Sequence, residues 1–174
     1  MAESGLSGVR SDMESAVSDS SRRAQAIAQA GGVAEALAGG LLPQKADLEL
    51  VEAIVLGLLQ LGVRRYVGVF GHGSTQLGEA IRAYEEAGLV RMYPVRNEVE
   101  ASHAAAALRW ITGEQAAVVT SIGPGALHAL AGSIAPASDG LGVWYLLPDE
   151  TTEDEGPNMQ QIPKHEQGSF LRLC

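Results

Sequence analysis

The sequence predicts an α/β domain: a doubly wound, mostly parallel sheet with helices on both faces. Three observations lead there. Between residues 47 and 148, short apolar runs alternate with longer segments of helical spacing. The intervening helices are long enough to serve as right-handed crossovers between parallel strands. The turns at 70–75, 96–100, 120–126 and 147–150, all following strands, are richer in glycine and polar residues than the opposite turns. In such sheets a ligand lies beyond the carboxyl ends of the strands, so these turns are where the chemistry is expected.

Taken in order, residues 1–19 are rich in Ser and Gly with mixed charges, and read as a mobile tail. Residues 20–38 carry good helix formers interrupted by Gly31-Gly32, and Pro43 closes this segment. Residues 1–45 are therefore an N-terminal extension, disordered and then helical, suited to docking and without evident catalytic groups. The domain proper runs over 46–174. Leu48, Val51, Ile54, Val55 and Leu58 have helical spacing, and Gly62 ends that helix. RRYVGVF (64–70) is a strand. A helix over 74–88 places Leu77, Ile81 and Tyr84 on one face and stops at Gly88. LVRMYPV (89–95) is a strand in which Pro94 suits the end better than the middle. A helix over 98–111 precedes Gly113, a strand follows over 115–122, a single helix over 125–137 and a strand over 141–148. The acidic stretch DETTEDEGPN then breaks the rhythm, and SFLRLC reads as a short terminal strand.

Composition narrows the function. The net charge of −9 argues against nucleic acid or an anionic membrane as partner. No apolar run approaches the roughly 20 residues of a membrane span, and the N-terminus lacks a signal-peptide layout. The single cysteine, Cys174, permits no intrachain disulfide, so a reducing cytoplasm is the default location. Cys174 itself reads as an incidental surface thiol.

Several turns suggest familiar motifs and fail them. FGHGSTQLG follows a strand, but its spacing is G-x-G-x-x-x-x-G, two residues too long for a dinucleotide fingerprint. His72 is then either an exposed loop residue or a ligand-facing one. TSIGPGAL is not a hydrolase elbow, yet its bare Gly123-Pro124-Gly125 turn offers backbone N–H groups at a helix start. His72, His103, His128 and His165 have no metal-ligand spacing. His103 reads as packed or partly exposed, and the five carboxylates from Asp149 to Glu155 as a solvated loop. At RNEVE (96–100), Asn97 and Glu100 form an N-cap with its capping-box partner. Capping leaves Glu98 unexplained: a carboxylate at a first helical position on the ligand side.

VFGHG, YPVRNE with the alanine-rich helix after it, VVTSIGPGA and QQIPKH, in that order, resemble the pyrimidine-binding domain of thiamine-diphosphate enzymes. The resemblance spans roughly residues 47–172 and is to the group of acetohydroxyacid synthases and the decyclizing trihydroxycyclohexanedione hydrolase, FGHG and RNE being closer to the hydrolase branch. It implies that Glu98 hydrogen-bonds N1′ of the cofactor's aminopyrimidine and so promotes loss of the thiazolium C2 proton. It also implies that Gly123, Pro124 and Gly125 lie against the pyrimidine. Gly71, His72, Gly73 and His128 would face the substrate, with His72 as an acid–base group. The implied chemistry makes or cleaves a C–C bond next to a carbonyl, in a 2-keto acid or 1,2-diketone.

Departures qualify the match. Val99-Glu100 replaces the usual Gln-Gly after the glutamate, and His128 replaces the Asn after the glycine turn, which bears on the substrate. The family's G-D-G motif and later Asn, which hold diphosphate and metal, have no counterpart. The nearest sequence is Ser138-Asp139-Gly140, and Asn158 follows it too closely. The domain also stops short of its usual last helix and strand. The expectation is a subunit that shares thiamine diphosphate with a separate chain. That chain would carry the diphosphate-binding domain and bind the Mg2+, this one supplying no metal ligand, in a hetero-oligomer inactive without it. The alternative is a noncatalytic or regulatory homologue, with nicotinamide binding a distant third.

Overall fold

The structure is a computed structural model in which residues 19–149 are described. Helix α1 occupies residues 19–30 and α2 Val33–Ala38, separated at Gly31-Gly32 as the sequence predicts. There follow α3 (Leu50–Gln60), β1 (Arg65–Gly68), α4 (Thr75–Glu86), β2 (Arg91–Pro94) and α5 (Glu98–Thr112). After these come β3 (Ala116–Val119), α6 (Pro124–Gly132), α7 (Ile134–Ser138) and β4 (Trp144–Leu146). The expectations for the acidic stretch beyond Asp149, for QQIPKH with His165, and for SFLRLC with Cys174 lie outside the described residues.

Among the described residues the strands form one parallel sheet of order β2-β1-β3-β4. The crossover through α4 moves one way from β1 and that through α5 moves back past it. Right-handed connections running in opposite directions put their helices on opposite faces. The strand side chains divide accordingly. Tyr66, Ala117 and Val119 enter a core built with α1 to α4, while Val67, Ala116 and Val118 enter a second with α5 and α6. This is the period of two that a sheet buried on both faces requires. Pro94 ends the edge strand β2, where its missing N–H costs no ladder bond.

Two expectations need correction. The strands are shorter than the apolar runs, because side chains beyond Gly68 and Val119 belong to the turns, though Val69 N still donates to Val119 O and Val95 N to Gly68 O. The helix expected over 125–137 is two helices, parting at Ser133. A continuous helix would set the Pro136 ring against the carbonyl of Gly132. Restarting at Ile134 puts Pro136 in a first turn, where backbone N–H groups have no intrahelical acceptor.

Helix α1 is tied into the larger core. Ala24 and Ile27 are fully buried in it. Arg23 forks onto Glu52 of α3 with contacts of 2.7 and 2.5 Å, and the Tyr84 hydroxyl of α4 donates to Glu52 Oε1 at 3.0 Å. Burial alone would raise the Glu52 carboxyl. Hydrogen bonds from Arg23 and Ser20, the Arg23 charge and the Tyr84 hydroxyl outweigh it and hold it below its ordinary value.

Arg23→Ala is expected to lower unfolding free energy in urea by about 3 kcal/mol, because Glu52 is left buried without its counter-charge. The depressed folded value fixes the pH sign. The stabilisation is fully present above the ordinary carboxylate range and is lost as pH falls through that range toward the folded value. Acidification should therefore lower the wild-type urea midpoint more than that of Glu52→Gln. The two buried tyrosines should respond oppositely. Tyr84→Phe removes a bond to Glu52 and should cost roughly 1–2 kcal/mol. Tyr66 has a buried hydroxyl without a hydrogen-bond partner, so Tyr66→Phe should leave the midpoint unchanged or raise it.

Candidate functional site

The strand order reverses between β1 and β3, so the turns leaving those two strands lie side by side. Their strands close tightly there: a Cβ on Gly68 would stand 1.9 Å from Val119 O, which only glycine avoids. The turns are joined mostly by backbone. Ile122 N donates to His72 O at 3.2 Å and Ser121 Oγ to the same carbonyl at 3.4 Å. Gly71 N donates to Ser74 Oγ at 3.0 Å, which fixes the first turn internally. A Cβ on Gly71 would fall 2.5 Å from Ser121 Oγ, and one on Gly73 would fall 2.4 Å from the Ile122 side chain and 3.1 Å from Pro148. The turn after β4 thus closes on the same place.

Glu98 approaches from the turn after β2. Asn97 caps α5, its Oδ1 accepting from Glu100 N at 2.9 Å. The return arm differs from the expected box: Glu100 Oε2 accepts from Arg96 N at 3.4 Å, one residue before the cap. Glu98 takes no part in the capping, and it is 8% exposed. Its Oε2 lies 3.3 Å from His128 Nδ1, and its Oε1 would lie 3.0 Å from a Cβ on Gly125. Gly123 (φ 60°) turns the chain into α6 and Pro124 takes the first helical position. The carboxylate therefore sits between the starts of α5 and α6, where the partial positive charge of both helix ends favours an anion.

That placement depends on how closely α5 and α6 run. Ser102, one turn after Glu98, has its single hydroxyl proton within reach of two carbonyls, Glu98 O at 3.1 Å and, across the interface, Ala129 O at 2.9 Å. A Cβ on Gly132 would meet Ser102 Cβ at 2.7 Å and Val99 O at 3.1 Å. Residues without bulk on α6 let the helices close until His128 and Gly125 reach Glu98.

The residues singled out from sequence are thus gathered at the carboxyl edge of the sheet. Gly123 and Gly125 are buried, Pro124 and His128 exposed. His72 is exposed at the rim, joining the cluster through its carbonyl. His103 lies exposed on the outer side of α5. Sequence reading missed Ser121, Ser102 and Gly132. Only the run of small residues in α5 and α6 hinted at the last two. An open groove of about 420 Å³ lies on the other side of the first turn, floored by Phe70, Ile81 and Met92. It touches Gly71 but is not lined by Glu98, Gly125 or His128. Among the described residues no group of three or more His, Cys, Asp or Glu side chains could hold a metal ion, and no helix is long and apolar enough to cross a membrane.

A family model described as "Thiamine pyrophosphate enzyme, N-terminal TPP binding domain" matches residues 48–168. No curated protein matches the chain.

Gly132→Ala should force α5 and α6 apart and cost about 1–3 kcal/mol, as overpacking does. Ser102→Gly in the same chain removes the nearest obstructing atoms and should recover part of that loss. A double-mutant cycle in urea measures the coupling, and strict additivity would contradict the contact.

Proposed function

The chain belongs to the thiamine pyrophosphate enzymes, as their N-terminal TPP-binding domain, and from that premise we propose that it is one half of a split enzyme making or cleaving C–C bonds. The bond would lie next to a carbonyl, in a 2-keto acid or 1,2-diketone. The fit of the cofactor can be tested on the site itself. A nearly buried carboxylate lies directly against the bare backbone of Gly125, where a Cβ would stand 3.0 Å from Glu98 Oε1. A flat aminopyrimidine edge needs this pairing of an acceptor with an unobstructed backbone, and this observation carries the reading.

In this reading Glu98 would share a proton with N1′ of the aminopyrimidine and hold it there. Gly123, Pro124 and Gly125 line the pyrimidine edge and keep side chains out of its plane. The bound cofactor would supply the electron sink for carbon–carbon chemistry. Gly71 and Gly73 would shape the substrate side, and His72, which is exposed at that rim, would exchange a proton with the carbonyl substrate. Diphosphate and Mg2+ would be held by a G-D-G-bearing domain on a separate partner chain, giving a hetero-oligomer whose active site lies at the interface. The turn sequences FGHG and RNE favour relatives of the acetohydroxyacid synthases and the trihydroxycyclohexanedione hydrolase, the latter more closely.

Co-expression with a candidate partner carrying G-D-G should yield a complex that binds thiamine diphosphate and Mg2+, which calorimetry would measure. Within it, Glu98→Gln should lower kcat by at least about 100-fold, the scale of a lost positioned proton-transfer group. Full activity in that variant would remove Glu98 from the chemistry.

A further inference from the structure

Glu98 has two carboxylate oxygens, and the structure treats them differently. Oε1 lies against Gly125, 3.0 Å from where a Cβ would stand, whereas Oε2 is 3.3 Å from His128 Nδ1. The His128 side chain is 64% exposed and that of Glu98 11%, so the contact joins a solvent-facing ring to a nearly buried carboxylate. His128 is not there by accident of a flexible side chain alone. It lies on α6 one residue before Ala129, whose carbonyl is bonded by Ser102, and one turn before Gly132, which lets α6 close on α5. The Ser102–Ala129 contact and the bare Gly132, which bring the helices together, therefore also set where the imidazole can reach.

We propose that His128 is a positioning residue for Glu98: its neutral ring carries the proton on Nδ1 and donates it to Oε2, so that Oε1 is the oxygen left for the ligand beside Gly125. This deepens the reading of Glu98 as the carboxylate that meets the aminopyrimidine, and rests on it. A carboxylate free to rotate offers either oxygen in many orientations. One whose Oε2 is held presents Oε1 in a single direction, and a bound ligand pays less entropy to order it. The proposal also fixes the tautomer. The ring nitrogen that carries the proton is set by the hydrogen bond it makes, so donation to Oε2 requires Nδ1–H and leaves Nε2 bare toward solvent.

The tautomer can be read without any cofactor. In the free chain labelled with 15N-histidine, at a pH where the ring is neutral, His128 Nδ1 should show the shift and one-bond proton coupling of a protonated nitrogen. Nε2 should read as unprotonated. In Glu98→Ala the proton should move to Nε2. A bare Nδ1 in the wild type overturns the proposal, and that spectrum suffices even if Glu98→Ala does not fold. An unchanged Nδ1–H in a folded Glu98→Ala chain overturns it equally. In the assembled complex, His128→Phe should weaken thiamine diphosphate binding by roughly tenfold, the scale of one hydrogen bond to a charged group. His128→Asn, with an amide nitrogen where Nδ1 stands, should restore it. Equal binding by the two variants would exclude a positioning role. Should Glu98→Gln leave binding and turnover untouched while the tautomer is as described, the cofactor reading fails and the His128–Glu98 contact stands.

Discussion

The closeness of α5 and α6 is the constraint on which the site depends. Two parallel helices with ordinary side chains between them would hold Glu98 and His128 too far apart to meet. Here Gly125 and Gly132, with Ala129 between them, face Ala101, Ser102 and Ala105, and one serine hydroxyl bridges the backbones. The alanine-rich composition of α5 thereby acquires a purpose beyond helix propensity. It thins the interface until the first turns of both helices share one carboxylate. The sheet beneath is equally close-fitted at the edge where these turns emerge, through the bare Gly68 beside Val119.

Much of the frame was legible in the sequence because its signals are local. Gly31-Gly32, Gly62, Gly88 and Gly113 mark helix ends, and each of Gly31, Gly62, Gly88 and Gly113 has the positive φ that favours glycine. Asn97 announced the start of α5 by a side-chain bond within three residues. The break at Ser133 was also written locally, in Pro136, but the apolar spacing from Ala126 to Ala137 masked it. Hydrophobic period reports a buried face, not the continuity of the helix that carries it.

The site was legible in part for a different reason. Glu98 stood out because capping chemistry accounts for its neighbours and not for it. His128 drew notice only through its place after the glycine turn, and its pairing with Glu98, 30 residues distant, could not be read from either residue's neighbours. The same holds for the tie at the other core. Glu52 lies at helical spacing from Val55 and Leu59, so it reads as a polar intrusion on an apolar face. Only the fold reveals Arg23, 29 residues earlier, and Tyr84, 32 residues later, as its partners. Pairings across such separations depend on topology, which a linear reading reaches only after the sheet order is known.

The joining of the β1 and β3 turns by main-chain atoms bears on how such a protein can diversify. Ile122 N and His72 O would meet whatever side chains those positions carried. The floor of the site is thus specified by backbone bonds and by the bareness of Gly68, Gly71 and Gly125, while its exposed rim carries the side chains of residues 72 and 128. Substitutions of the side chain at residue 72 leave this backbone bond in place. A change at any of the three glycines must displace a neighbour. Exposed side chains and scaffold integrity can therefore change at separate addresses in the same few turns.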